Sequence, residues 1–254
     1  MKRDKKIIVA EGPDDFARRG ADLFRAKALE AEKKKARFAV ALSGGSAPRP
    51  MHRLLGSRPY GPEIPWRVTH IFWGDERCLP FEDPRSNYGT ARADFLDGLP
   101  LDLEQIHPMP GTLGPGKGAA AYEEELRHFF QLRPGQVPVF DLIYLGMGPD
   151  GHTASLFPGH QALVEETRLA VPVQGGEPPV DRLTLTFPVL NRAETIVLLV
   201  SGKNKAGTVS SVFKDPDQGL PVQKIYPDKG ILVWLLDREA ASGLPKDLLR
   251  PPGA

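Results

Sequence analysis

The segment FDLIYLGMGPDGHT, residues 140–153, joins a compact apolar run to a loop of glycine and polar residues. The run is short and lacks the strict alternation of a half-exposed strand, which favours a strand covered by helices on both faces. Gly146, Gly148 and Gly151 follow it with the G-x-G-x-x-G spacing of a dinucleotide-binding turn. The segment therefore indicates a buried strand that ends in a ligand-binding loop, and the kind of ligand has to be decided from the rest of the chain.

Similar apolar runs recur along the chain and alternate with helical patterns. The predicted strands lie within residues 6–10, 37–46, 68–76, 140–148, 194–202 and 230–237, and the predicted helices are residues 14–36, 88–96, 117–132 and 203–213. RLTLTF, residues 182–187, alternates and is predicted to be a strand near a sheet edge. This order predicts one α/β domain over residues 1–254: a doubly wound, mostly parallel, Rossmann-like sheet flanked by helices, with a small extra β element as an option.

Composition excludes several classes of function. The 33 basic and 32 acidic residues give a net charge of +1, so neither a nucleic acid nor a membrane surface is expected as a partner. Cys78 is the only cysteine, which fits a reducing compartment. The amino terminus lacks an apolar signal core, and the longest apolar runs are too short to span a bilayer. We therefore expect a cytoplasmic protein, and a monomer because no long apolar surface helix stands out.

Four of the predicted strands end in loops that are rich in polar groups. These loops are SGGSAPRP (43–50), WGDERCLP (73–80), GMGPDGHT (146–153) and SGKNK (201–205). In an open parallel sheet the carboxyl ends of the strands lie at one edge, and ligands bind there. We therefore expect the four loops to form one site.

The residues around the three glycines argue against a dinucleotide-binding turn. It requires a helix after the loop and an acidic residue about 20 positions further on. Here Pro158 and Gly159 stop any helix that begins at His152, and Pro149 removes a backbone N–H from the loop. A second match, the P-loop pattern GTLGPGK at 111–117, is followed by glycine where Ser or Thr should hold magnesium.

The remaining loops carry groups suited to an anion. In the SGGSAP segment, two glycines and two serines precede a proline that suits the first turn of a helix, which is an arrangement typical of a phosphate site; a tight turn without a ligand is the alternative. In WGDER, Asp75 can orient a ligand hydroxyl while Arg77 holds an anion, or these residues form a structural ion pair. Lys203 or Lys205 can add a second cation.

His152 follows Asp150 by two residues in a loop framed by glycines. A histidine that titrates near neutral pH is suited to act as a general base. The histidines show no paired ligand spacing and the single cysteine adds none, so no metal site is expected.

The four blocks SGGSAP, WGDERCLP with DPRSNY (83–88), GMGPDGHTASLFP and SGKNKA resemble the 6-phosphogluconolactonase family, in its order, from Leu42 to Ala206. The resemblance implies cofactor-free and metal-free hydrolysis of 6-phosphoglucono-δ-lactone, the second step of the oxidative pentose phosphate pathway. It implies that His152 activates water and that Asp150 orients it or bonds to it. We include Asp75 as a third catalytic candidate. The implied substrate-binding residues are Ser43, Gly44, Gly45, Ser46, Arg77 and Lys205.

Two other functions stay open at this point. Glucosamine-6-phosphate isomerase/deaminase belongs to the same superfamily, but its loop resembles G-H-x-A-F-N-E-P, and the position of its glutamate is Phe157 here. A phenyl ring cannot transfer a proton. A catalytically silent sugar-phosphate-binding protein is the other alternative, against which the retention of Asp150 and His152 argues.

Overall fold

A computed structural model describes residues 5–35, 37–245 and 248. Ala36, the last residue of the predicted helix 14–36, lies outside the described residues. The strands are β1 (Lys5–Ala10), β2 (Phe38–Leu42), β3 (Thr69–Trp73), β4 (Asp75–Arg77), β5 (Ile106–His107), β6 (Leu142–Gly146), β7 (Ala170–Gly175), β8 (Val180–Leu185), β9 (Thr195–Val200) and β10 (Ile231–Asp237). The α-helices are α1 (Pro13–Lys35), α2 (Arg49–Leu55), α3 (Tyr60–Glu63), α4 (Asn87–Asp94), α5 (Pro115–Phe129), α6 (Phe187–Leu190) and α7 (Ala206–Lys214).

Seven strands form a parallel sheet in the order β1-β10-β9-β6-β2-β3-β5. The predicted mostly parallel, helix-flanked sheet is confirmed. The chain runs from β2 to β3 and β5 on one side and then returns to β6, β9 and β10 on the other. The reversal lies between β2 and β6, and the crevice outside the carboxyl ends of such a pair of strands is where ligands bind in this class of sheet.

Burial explains the unbroken apolar runs. All five residues of β2 and all six of β9 are buried, because helices cover the sheet and leave no solvent-facing side for polar residues. Helix α1 packs on β1, β2 and β10, and its buried face includes Phe16, Phe24 and Ala28. Within the described residues, no helix is both long enough and apolar enough to cross a membrane.

A second, antiparallel sheet of order β4-β8-β7 provides the small extra β element. The run 68–76, predicted as one strand, divides at Gly74, whose N–H bonds to Leu42 in the large sheet while its carbonyl accepts from Leu185 in the small one. The prediction that 182–187 lies near an edge was wrong, because β8 is the middle strand of its sheet. Its alternation has another cause: Leu183 packs toward α5, close to Gly118, and Arg182 lines the cavity described below.

The predicted helices are present with shifted ends, each within three residues of the expected position. The predicted helix 203–213 begins only at Ala206, because Lys203–Lys205 form a separate 3-10 turn. Helix α4 begins at Asn87, where the Ser86 side chain accepts a hydrogen bond from the N–H of Gly89 and so caps the helix.

Candidate active site

A cavity of about 220 Å³ lies at the carboxyl ends of the strands on both sides of the β2–β6 reversal. The residues lining it are Ser43, Gly44, Gly45, Ser46, Ala47, Asp75, Arg77, Asn87, Gly146, Met147, Gly148, Pro149, His152, Ala154, Arg182, Leu199, Ser201 and Lys205. The expected convergence of the four loops is therefore confirmed. A larger groove of about 910 Å³ runs along α5 and β5, away from these loops.

The glycine–serine loop leaves β2 at a buried serine, Ser43, and turns toward α2. Gly45 has φ +85°, a left-handed conformation that a residue with a side chain adopts at a cost. Gly44 is fixed by a close approach: a Cβ there would lie 1.7 Å from Oδ1 of Asn87. Pro48 directly precedes α2, as the sequence predicts. The loop thus places two glycines and two serines on one wall of the cavity.

The loop after β6 holds the imidazole and the carboxylate together. His152 Nδ1 lies 2.6 Å from Oδ1 of Asp150, and the N–H of Gly148 donates to the carbonyl of His152 at 2.8 Å. A Cβ on Gly148 would lie 2.1 Å from His152 Nδ1 and 2.4 Å from Asp150 Oδ1, so both side chains fold over a residue that must be glycine. Gly151, with φ +79°, makes the turn between the two residues.

The contact between His152 and Asp150 fixes the tautomer. Burial alone raises the pKa of Asp150, but hydrogen bonds from the backbone and ring of His152, together with its attraction, outweigh this and hold that pKa below its ordinary value. An ionised Asp150 accepts a proton-bearing Nδ1, which leaves the lone pair of a neutral imidazole on Nε2. Nε2 of His152 is therefore free to accept a proton, and the side chain is 28% exposed at the cavity.

Phe157 packs beside this pair. Its ring centroid lies 4.6 Å from that of His152 at an interplanar angle of 45°, and the Arg182 guanidinium lies over the ring at 5.5 Å. A Cβ on Gly175, at the end of β7, would lie 2.5 Å from the Phe157 ring. The ring thus occupies the space between the histidine loop and the small sheet.

Asp75 is buried, and its carboxylate joins three segments. Oδ2 accepts from Ser155 Oγ at 2.7 Å and lies 3.9 Å from Nη1 of Arg182, and Oδ1 accepts from Asn87 Nδ2 at 3.3 Å. The ion pair considered for the WGDER segment therefore involves an arginine of β8. Asp75 lines the cavity, but its oxygens are engaged by protein groups, and its catalytic role stays a prediction.

Three cations reach the cavity: Arg77, Arg182 and Lys205. Burial lowers the pKa of Lys205, and nearby Asp150 opposes this effect. Burial and the neighbouring Arg77 lower the pKa of Arg182, which Asp75 and Glu76 oppose. Lys203 is exposed and lies outside the lining, so the geometry favours Lys205 of the two lysines.

Sequence reasoning missed Arg182, Asn87 and Ser155. Arg182 stands at a polar position of an alternating run, which predicted a strand but gave no sign that this arginine belongs to the site. Asn87 stands in the DPRSNY block, and Ser155 lies three residues after His152.

Among the described residues, no three His, Cys, Asp or Glu side chains are grouped so as to hold a metal ion. No helix follows His152, and residues 152–158 form turns around a bridge between Thr153 and Leu156.

The model of the glucosamine-6-phosphate isomerases/6-phosphogluconolactonase family matches residues 11–234 of this chain. The chain belongs to this family. It is 43% identical to the 6-phosphogluconolactonase of Synechocystis sp. over 81% of this chain and 84% of that protein. It is 40% identical to the 6-phosphogluconolactonase of Nostoc sp. over 96% and 99% of the two chains.

The structure of the 6-phosphogluconolactonase from Trypanosoma cruzi has the same fold. Its TM-score is 0.85 at 30% sequence identity, and the match covers 96% of this chain and 98% of that one. The family thus accounts for the fold. Its description spans two chemistries, isomerisation and lactone hydrolysis, so membership alone leaves the reaction to be decided by the site.

Proposed function

We propose that this protein is a 6-phosphogluconolactonase, which hydrolyses 6-phospho-D-glucono-1,5-lactone to 6-phosphogluconate in the second step of the oxidative pentose phosphate pathway. The observation that carries the proposal is the His152–Asp150 pair, 2.6 Å apart, in the cavity that three cations and the glycine–serine loop also line. The curated relatives at 43% and 40% identity bear the same name, which supports lactone hydrolysis.

His152 acts as the general base. Its Nε2 takes a proton from water as the water oxygen attacks the lactone carbonyl carbon, and Asp150 stabilises the imidazolium that forms. The tetrahedral intermediate collapses with cleavage of the bond to the ring oxygen. That oxygen takes the proton back from Nε2, so the products are a carboxylate and a hydroxyl, and the carboxyl proton goes to solvent. No cofactor or metal is required for these steps.

The substrate phosphate is held away from the reacting carbonyl. The N–H groups and hydroxyls of residues 43–46, with Arg77 and Lys205, bind its oxygens, because backbone N–H groups and cations together favour an anion. Binding energy from this remote group positions the ring against His152. Asp75 orients the wall that carries these groups, through Ser155 and Arg182.

Phe157 favours the lactonase over the isomerase/deaminase. Ring opening of an amino sugar needs an additional proton carrier beside the histidine, and here a phenyl ring packs against the imidazole at 4.6 Å. Hydrolysis of a lactone needs one base and one water, which His152 with Asp150 provides.

The purified protein is tested by acid release from freshly prepared 6-phosphogluconolactone, above the spontaneous rate. Acid release confirms the lactonase. Ammonia release from glucosamine 6-phosphate indicates the isomerase/deaminase instead, and tight binding of 6-phosphogluconate without turnover of either substrate indicates a silent binding protein.

The protein acts in the cytoplasm, as a monomer and as one catalytic domain, without a nucleic-acid or membrane partner. Support comes from the single cysteine and from a cavity to which both sheets of the same chain contribute. Light scattering of the active protein is expected to give a mass near 27.8 kDa, and a mass of twice that value contradicts the monomer.

A further inference from the structure

Asn87 lies between two of the groups that face the cavity. Its side chain is buried, with Oδ1 accepting from Nη1 of Arg77 at 2.8 Å and Nδ2 donating to the Asp75 carbonyl at 2.8 Å. The orientation of the amide is thereby fixed, since its donor and its acceptor have different partners. The Arg77 guanidinium is held by this oxygen and by the carbonyl of Arg85.

The same amide sets the position of the glycine–serine loop. A Cβ on Gly44 would lie 1.7 Å from Asn87 Oδ1, so the loop backbone reaches this wall only with glycine at that position. Arg77 and the loop therefore meet at a single side chain, which touches one by a hydrogen bond and the other by close packing.

The backbone of Asn87 is fixed independently of its side chain. The buried carboxylate of Glu76 accepts from the N–H of Asn87 and the N–H of Tyr88, both at 2.8 Å. It also accepts from Ser86 Oγ at 3.0 Å. These bonds join the start of α4 to β4, so truncation of the Asn87 side chain leaves the helix anchored.

We infer that Asn87 is a positioning residue for substrate binding: it holds the Arg77 guanidinium against the glycine–serine loop so that both meet the same phosphate. The inference rests on the proposed function, because it assigns the anion held at this wall to the phosphorylated end of the lactone. On this inference, the wall formed by Arg77 and the glycine–serine loop binds the phosphate, whereas the lactone carbonyl reacts at the His152 loop. Removal of the Asn87 amide therefore weakens recognition of the phosphate and leaves the chemical step intact.

The test compares two lactones in a double-mutant cycle. Asn87→Ala, Arg77→Ala and the double variant are assayed on 6-phosphogluconolactone and on glucono-δ-lactone, which lacks the phosphate. We expect Asn87→Ala to raise KM for the phosphorylated lactone about tenfold, with kcat within about twofold. On glucono-δ-lactone its kcat/KM is expected to stay within about twofold of the wild type. In the Arg77→Ala background the same change is expected to add little, because Asn87 acts through Arg77.

Thr90→Ala, on the same helix and outside the cavity lining, is the matched control and is expected to behave as wild type on both lactones. Gly44→Ala approaches the contact from the loop side, and its effect is expected to shrink in the Asn87→Ala background, where its new methyl group has room. Equal losses on both lactones, or effects of Asn87→Ala and Arg77→Ala that multiply, would overturn the inference and leave Asn87 a purely structural residue.

Calorimetric binding of 6-phosphogluconate and of gluconate to the same variants gives a readout without turnover. Asn87→Ala is expected to weaken 6-phosphogluconate binding about tenfold and to leave gluconate binding unchanged. A wild-type protein that binds 6-phosphogluconate but hydrolyses neither lactone contradicts the proposed function alone. Unchanged binding of 6-phosphogluconate by Asn87→Ala contradicts the inference alone.

Discussion

Among the residues that the structure describes, two imidazole–carboxylate pairs have the same length. His152 and Asp150 are joined at 2.6 Å in the cavity, and His107 and Glu125 are joined at 2.6 Å between β5 and α5. The second imidazole uses its other nitrogen as well, because Nε2 of His107 lies 3.2 Å from Nδ1 of His70. The His152 ring differs: its Nδ1 bonds to Asp150, and its Nε2 has no hydrogen-bond partner among the described residues.

The surroundings of the two pairs differ more than their geometry does. The His107 ring stacks on Phe72 at 4.1 Å and is 8% exposed, and burial lowers its pKa against the opposing effect of Glu125. The His152 pair borders a cavity with cations and a glycine-rich loop. A short imidazole–carboxylate contact is therefore a weak sign of catalysis, and a free second nitrogen beside an anion-binding cavity is a stronger one.

The largest expected difference between the pairs is in activity. His152→Ala is expected to lower kcat/KM for 6-phosphogluconolactone about 100-fold or more, because it removes the side chain that we propose as the general base. His107→Ala, the same substitution in the other pair, is expected to keep kcat/KM within about threefold. Initial rates on freshly prepared lactone measure both, and similar losses in the two variants would erase the functional distinction.

The effects of the two substitutions on stability are expected to have the opposite order. His107→Ala removes a ring packed on Phe72 together with two hydrogen bonds, so we expect the free energy of unfolding to fall by about 2 kcal/mol. His152→Ala removes a partly exposed side chain and is expected to cost less than about 1 kcal/mol. Urea denaturation of both variants measures these losses, and a larger loss for His152→Ala would show that the loop that carries His152 also supports the fold.

The smallest expected effect is a pH dependence of stability that comes from His70, the neighbour of His107 in the second pair. Burial lowers the pKa of His70 to about 4 from an ordinary value of 6.5, so between these values the unfolded chain binds more protons than the folded one. The stabilisation is full above about pH 6.5 and falls as the pH drops toward 4.

Because His70 is partly exposed, we expect its share of this loss to be about 1 kcal/mol. His70→Asn, which keeps a hydrogen-bonding amide beside His107 but does not titrate, is expected to flatten the difference in unfolding free energy between pH 7 and pH 5. An unchanged difference in this variant would assign the pH dependence to other groups.

The parts of the site that follow strands of the parallel sheet could be predicted from the sequence. Residues 43–46, the loop of His152 and the lysine turn each come after an apolar run, and the geometry of a parallel sheet brings such ends together. Spacing alone left Lys203 and Lys205 open, because both lie in one turn and only the folded turn points one of them inward. The family resemblance favoured Lys205, and it is Lys205 that lines the cavity.

The contributions from β8 and from α4 could not be predicted either. Arg182 reaches the cavity because β8 pairs antiparallel with β4 after the chain leaves the large sheet at Gly74, and that pairing joins segments about a hundred residues apart. Asn87 reaches it because the buried Glu76 binds the start of α4. The alternation of residues 182–187 indicates a strand but not its partner, and the contact of Glu76 with Asn87 leaves no pattern. Both contacts depend on tertiary pairing rather than on local spacing.

The packing of Phe157 on Gly175 also constrains how enzymes of this family can diverge. A mutation that replaced the ring by glutamate would supply a proton carrier, but it would also empty the space that the ring fills at the end of β7 and remove the aromatic face under Arg182. The first step toward the other activity would thus weaken the present one before compensating changes arose around Gly175. Replacement of Phe157 would therefore need a compensating substitution near Gly175 to refill this space.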